Sequence, residues 1–387
     1  MQLTTTSARI PISLQPDEDI LIHTHLVARL LPKISGPSAP DILSSMVNYE
    51  SPLTPTLVSR SEPLHKDAIR ALAAVYFGKI HRDRRIFDTG VRAYVRSLRR
   101  LRCALASPVA ILEVETLVSV LCLGLYENIA FSEASGWLNH YEGIAHLIER
   151  RGPQRHRSGF DRELFRHCRF AIIISALVRR RHCYLARPEW KAIARTKQAV
   201  TSDAISTEED LTSLFAEVPG ILHDFNLADG SDACQASVLD LQHRVQQILS
   251  SLHTWKLPYQ PRDTSHADMA LLALHSAILL CLAPVCEAFG LPLTEDDQSP
   301  TGARTALATH ICRLAKASFD RYPSSSTGAF LFIFPLHVAA RNMPPGAEET
   351  IWVDNVMQRV LAETHGFEIG RPRTWQLPPV RGYIEAT

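Results

Sequence analysis

Residues 111–130, ILEVETLVSVLCLGLYENIA, are apolar on almost every side after the first turn. A helix with such a surface can bury it only by being surrounded. That need for neighbours constrains the chain more than any other stretch does, and the rest of the sequence supplies them in the same period. Apolar residues recur at three- and four-residue steps throughout, whereas alternating runs rich in β-branched residues are nearly absent. The expected fold is all-α, a large multi-helix array. With 387 residues, the chain can enclose a sizeable core without metal or disulfide support.

Several helices can be drawn in advance. Ser61 is a good N-cap and Pro63 suits a first turn. Leu64, Ile69, Leu72, Ala73, Tyr76 and Phe77 then give a stripe that should end near Gly78. Over 88–105 the expected packing stripe is Val91, Tyr94, Val95, Leu98 and Leu101, with Arg92, Arg96, Arg99, Arg100 and Arg102 largely on other faces. In WLNHYEGIAHLIERRGP (137–153), Trp137, Leu138, Tyr141, Ile144, Ala145 and Ile148 form one face, His140 borders it, and Gly152-Pro153 is a stop signal. A long helix over 160–185 should be closed by Pro188-Glu189-Trp190, and Asp210 to His223 carries a further stripe. The uncharged run 269–286 just reaches the ~18 residues at which a membrane span must be considered. His275, Ser276, Pro284 and the lack of close basic flanks favour a buried core helix instead, so no membrane contact is expected. Residues 290–303 read as a loop. A final helix over 348–365 should pack Ile351, Trp352, Val356, Val360 and Leu361 and stop at Gly366. Residues 1–19 read as a flexible segment and 20–387 as a single all-helical unit.

Charge narrows the function classes. Forty-one Lys and Arg against 40 Asp and Glu leave a formal charge of +1, whereas gripping nucleic acid needs an excess of basic charge. The charges are segregated: residues 149–187 hold eleven Arg against three acids, and 198–243 hold nine acids and no Lys or Arg. Pairing of the two segments across the fold, or their facing opposite sides of it, explains this. The eight cysteines contain no C-x-x-C and sit mostly among apolar neighbours, as reduced core residues of an intracellular protein do. No phosphate loop, nucleophile elbow or H-E-x-x-H occurs. His23 and His25 are two apart, and His140 and His146 six apart, so neither pair shares a helix face as metal ligands at i, i+4 would. No metal and no cofactor are expected. Glu142 and His146 share a face and suit a surface pair. Two residues stand out within helices. Glu127 near the end of the apolar helix needs a partner, a proton or a solvated helix end; Gly143 points to close approach of another helix or of a ligand.

Five blocks in order, ALAAVYFG (71–78), LVSVLCLGLYE (117–127), W-x-x-H-x-x-G-x-x-x-L-I-x-x-R-G-P (137–153), PEW (188–190) and FPLHVAAR (334–341), precede a Trp-bearing terminal helix. Together they resemble the C-terminal regulatory domain of fungal binuclear zinc-cluster transcription regulators over residues 20–385. The resemblance implies an all-α domain that regulates transcription, usually downstream of a DNA-binding zinc cluster, and is often supposed to sense a metabolite. The six-cysteine cluster itself does not occur in this sequence, so direct sequence-specific DNA binding by that means is not expected.

Three functions follow. The domain could regulate or serve secondary metabolism through small-molecule and protein contacts, acting in the nucleus. It could be a cofactor-independent cyclase or isomerase of a secondary-metabolite pathway, acting in the cytoplasm through an apolar cavity. It could be a purely structural interaction module. The candidate ligand-binding residues are those whose polar ends border apolar faces: Glu127, Trp137, His140, Tyr141, His337 and Arg341. In an enzyme, His140 or Glu127 would serve as general acid or base and Arg341 as an anion or oxyanion partner. The expected partners are a hydrophobic small molecule and a protein.

Overall fold

The computed structural model describes residues 22, 25–30, 64–194, 203–228, 235–255, 264–294, 300–321, 329–344, 346–372, 374 and 378. Among them the regular structure is entirely helical. Residues 1–19, Ser61 and Pro63 lie outside that set, and with them the expected flexible start and first N-cap.

Helix α1 (Leu64–Ile80) and helix α2 (Arg84–Ala106) form the most closely packed pair. The Asp83 side chain caps α2 by accepting the Ile86 N–H at 3.1 Å. Helix α1 ends at Ile80, two residues past Gly78, close to the expected end. A Cβ at Gly78 would lie 2.5 Å from the Phe87 nitrogen, and one at Gly90 would lie 2.7 Å from the Val75 nitrogen. Both glycines let backbone meet backbone. The buried face of α2 is accordingly Ile86, Gly90, Ala93, Ser97 and Leu101. This corrects the expected stripe: Val91, Val95 and Leu98 are 37%, 41% and 36% exposed. The small residues form the seam because only they allow so short an approach.

The apolar stretch becomes helix α3 (Val114–Ala130), with every residue from Thr116 to Ile129 buried. It packs against α1, α2 and helix α4 (Gly136–Arg151). Helix α5 (Gly159–Val178) packs on α4 and ends earlier than expected, because Arg180 turns the chain at φ +52°. Pro188 opens a helix rather than closing one: α6 spans Pro188–Ala194, in keeping with proline's fitness for a first helical turn. The acidic segment folds as α7 (Asp203–Phe215) and α8 (Val218–Ala228), burying Leu211, Phe215, Val218 and Leu222. Charge segregation is partly resolved by pairing here. Arg166 Nε meets Glu209 Oε1 at 3.1 Å, and Arg169 donates to Ser213 Oγ at 3.1 Å.

Helices α9 (Gln235–Thr254), α10 (His266–Phe289), α11 (Pro300–Arg321) and α12 (Ile333–Arg341) complete the array, with α10 against α8, α9, α11 and α12. The expected loop at 290–303 ends sooner, since α11 starts at Pro300. Helix α10 is long and apolar enough to cross a membrane, yet 78% of its apolar window is buried by the rest of the chain. Helix α13 (Glu348–Asn355) passes directly into a π-helix over Val356–Thr364. Of the expected terminal stripe, Val356 and Leu361 are buried and Trp352 and Val360 are half-buried against the core, whereas Ile351 is exposed and Val353 and Met357 point inward instead.

The chain then returns to its beginning. Gly366, at φ +82°, lies beside Ile80 and Tyr76 of α1, and Glu368 pairs with Lys79 at 2.6 Å. Lys79 also donates to the Ile129 carbonyl of α3 at 2.6 Å. One contiguous cluster of buried apolar side chains runs from Ile22 and Leu26 through these helices to Ile369. Seven cysteines are described, six buried and Cys103 exposed, and all are free thiols. Burial pushes the thiols of Cys122, Cys281 and Cys312 up to about 12, so they stay protonated.

Candidate functional site

The turn between α3 and α4 gathers four of the six candidates. Phe131 caps α3 in the left-handed region at φ 48°, and its N–H donates to the Glu127 carbonyl at 2.8 Å. The reversal folds Ser132 onto the Glu127 carboxylate, which accepts the Ser132 N–H at 3.0 Å and the Ser132 hydroxyl at 2.6 Å. Glu127 is therefore not at a solvated helix end. It is 1% exposed and spent on holding the turn. Gly136 completes the fit, because a Cβ there would lie 2.8 Å from Glu127 Oε2.

Above this turn lies a chain of aromatic and polar groups. Tyr94 of α2 stacks on Tyr126 at a centroid distance of 4.1 Å, and its hydroxyl is 3.0 Å from His140 Nε2. Burial first, then the neighbouring Glu127 carboxylate, pushes the Tyr94 phenol well above its ordinary range. The phenol keeps its one proton, which can go to His140 or to Glu127 but not to both. Burial lowers the His140 pKa, with Glu127 opposing in part, so a neutral imidazole is favoured. Tyr141 accepts from Asn128 Nδ2 at 3.0 Å, and Trp137 meets the Tyr141 ring edge-on at 5.4 Å. Trp137, Tyr141 and Glu127 are buried members of the hairpin.

Of the six, His140 lines a cleft between α2, α3 and α4. This depression of about 360 Å³ runs between α2, the turn at Ala110–Leu112, α3 and α4. Leu101, Leu105, Ile111 and Val120 give it apolar walls, and His140, His146 and Arg150 add polar groups. Gly143 forms part of the floor. A Cβ there would touch Val120 Cγ1 at 3.4 Å, so the glycine serves helix packing and leaves space in the cleft together. The neighbouring pair expected of Glu142 and His146 does not form; Glu142 instead binds Arg179 at 2.9 Å and Arg181 at 3.4 Å.

His337 and Arg341 lie elsewhere, on α12. His337 is buried, and its Nε2 lies 3.1 Å from the Ile369 carbonyl. A carbonyl only accepts, so that nitrogen carries the hydrogen. Burial takes the His337 pKa down to about 4. Arg341 is exposed, close enough to Arg180 and Cys281 for its charge to act on both.

Two groupings escaped the sequence reading. Tyr94 reads from the sequence as a packing residue of α2, and no spacing along the chain signals its bond to α4. His182, His223 and Asp224 bring candidate metal-ligating atoms within 4.8 Å of one another. Since His182 lies on the turn after α5 and the other two on α8, no spacing along the chain signals the meeting.

Comparison with known proteins adds the family. A segment of 137 residues, 35% of this chain, is 35% identical to a protein of Emericella nidulans named uncharacterized protein AN5342. The segment covers 29% of that relative's length, so the chain spans well under two thirds of it. No solved structure matches. Residues 41–367 match the family described as the fungal specific transcription factor domain. Together with the all-helical array, that match over most of the chain makes this protein a member of the fungal specific transcription factor domain family.

Proposed function

We propose that this chain is a regulator domain that works by contact, taking a small apolar molecule into the cleft between α2, α3 and α4 and a protein partner on the adjoining face of α2. The setting, regulation of or service to secondary metabolism in the nucleus, is suggested by the resemblance and the family and by nothing in the site itself. The observation that carries the reading is the continuity of two apolar surfaces. Val91, Val95 and Leu98 stand exposed on α2 and lead to Leu105, which is both 41% exposed and a wall of the cleft. Arg92, Arg96 and Arg99 occupy the adjoining sector of the same helix and are exposed. An apolar stripe with a basic ridge beside it suits an amphipathic, acidic helix from a partner protein better than a phosphate backbone, which offers nothing for the valines and leucines.

The isomerase alternative gains no support of its own. His140 Nε2 bonds to the Tyr94 hydroxyl and the Glu127 carboxylate to Ser132, and Arg341 is on another helix.

Gly143→Leu fills the cleft from its floor and supplies the test. Thermal melts of the purified chain against a panel of apolar metabolites should find compounds that stabilise the wild type, by about 2.7 kcal/mol at a hundredfold excess over Kd. The same compounds should leave Gly143→Leu unmoved. Equal shifts in both proteins, or none in either, would remove the ligand from this reading.

A further inference from the structure

We infer that His182, His223 and Asp224 form a binding site for a divalent transition-metal ion, tying the turn after α5 to α8. Each ligand is held in place by a neighbour. His223 Nδ1 is 2.7 Å from the Arg180 carbonyl, so Nδ1 carries the hydrogen and Nε2 keeps its lone pair. A backbone carbonyl on the far nitrogen is the usual outer support of a metal-binding histidine. That carbonyl is available because Arg180 takes the left-handed turn at φ 52°.

Asp224 is anchored likewise. Its Oδ2 accepts from Arg244 Nη1 of α9 at 2.7 Å, which leaves Oδ1 directed at His182 Nε2, 2.8 Å away. His182 lies against α8 over Gly220, where a Cβ would be 3.0 Å from Nδ1. Its Nδ1 therefore faces the helix and its Nε2 faces Asp224. The two imidazoles meet edge-on at 4.9 Å. The three donor atoms lie within 4.8 Å of one another, and ligands about 2.0–2.1 Å from an ion need only a small closing motion of the His182 side chain, which is 60% exposed.

Two imidazoles and one carboxylate suit zinc, cobalt, nickel or copper, whereas calcium and magnesium prefer oxygen alone. Three protein ligands leave a fourth position, here open to solvent at His182, so the ion would be exchangeable. Arg244 is a nearby positive charge that weakens affinity while it orients the carboxylate. A His182–Asp224–Arg244 ion-pair chain without metal is the competing account, and it makes a different prediction.

The experiment is titration of the full chain with Co²⁺, read by the intense visible absorption of four-coordinate cobalt and by calorimetry. The expected result is one ion per chain, displaced by Zn²⁺, with affinity reduced about tenfold or more in His182→Gln and in His223→Gln. His243→Gln, which changes an exposed histidine on α9, should bind as the wild type does. Far-ultraviolet circular dichroism checks that each variant is folded. His182→Gln gives the decisive readout if His223→Gln is not, because the side chain it replaces is largely in solvent. Absence of saturable binding, an ion held equally by all three variants, or an adventitious ion only, at a stoichiometry that tracks total histidine, would overturn the site.

Discussion

Buried histidines set one of the measurable properties of this protein at the level of single residues. The imidazole of His337 is held neutral by burial with a pKa of about 4, against an ordinary value near 6.5. In the unfolded chain it takes up a proton as the pH falls through about 6.5; in the folded protein it does not until about 4. Stability is therefore fully present above pH 6.5 and is lost as the pH drops through that window. Urea melts at pH 7 and pH 5 should differ by about 2 kcal/mol through this residue. His337→Asn should remove that much of the slope, whatever it does to stability at pH 7; an unchanged slope would show that His337 is not held neutral. The sequence signals these residues unevenly. His140 announced itself by bordering an apolar face. The role of Glu127 did not, because its partner Ser132 comes from a left-handed turn at Phe131 that no turn-forming residue signals. Tyr94 was invisible for the opposite reason, since an aromatic residue on an apolar stripe looks like packing.

Among the helices, periodicity gave type well and faces poorly, and the helices Gln235–Thr254 and Pro300–Arg321 were not foreseen. In α2 the large apolar residues and the small ones both repeat at helical spacing, and the pattern alone cannot say which set meets the neighbour. Gly78 and Gly90 decide it by admitting backbone contact, which draws Ala93 and Ser97 into the seam and leaves Val91, Val95 and Leu98 outside. Ala93→Leu should cost about 1–3 kcal/mol or more in chemical denaturation, because the seam has no room. Leu98→Ser should fall within about 0.5 kcal/mol of the wild type, as exposed substitutions do. Similar costs for the two would mean the faces are assigned the wrong way round. Proline opens helices here: Pro188, expected to help close one, and Pro300, inside the expected loop, each begin a helix. The pitch change at Val356 had no sequence signal at all, since an i→i+5 pattern over nine residues is indistinguishable from a slightly irregular α-helical one.

Across the whole molecule, the last described turns close onto the first helices. Glu368 is the centre of that closure. Burial works against its charge, but bonds from Arg371 and Lys79 prevail and hold its carboxyl below the usual range. Lys79 in turn is lowered by burial and kept charged by Glu368. Glu368→Ala should cost about 1–3 kcal/mol, and hydrogen exchange should speed up at both ends of the contact, near Gly366 and in the last turn of α1. Faster exchange confined to the C-terminal residues would mean that α1 does not depend on the closure. None of this was legible beforehand, because a contact between distant ends leaves no local pattern, and Glu368 reads as one more acid beyond the final helix.

That closure also orders events in time. When α1 leaves the ribosome, the carboxylate destined for Lys79 has yet to be made, and most of the chain separates the two. The α1–α2 hairpin must therefore wait, with Tyr76 and Ile80 missing the neighbour that Gly366 later brings. Distant contacts of this kind slow folding, and until Gly366 and Glu368 have been made the nascent hairpin is a surface on which chaperones can act.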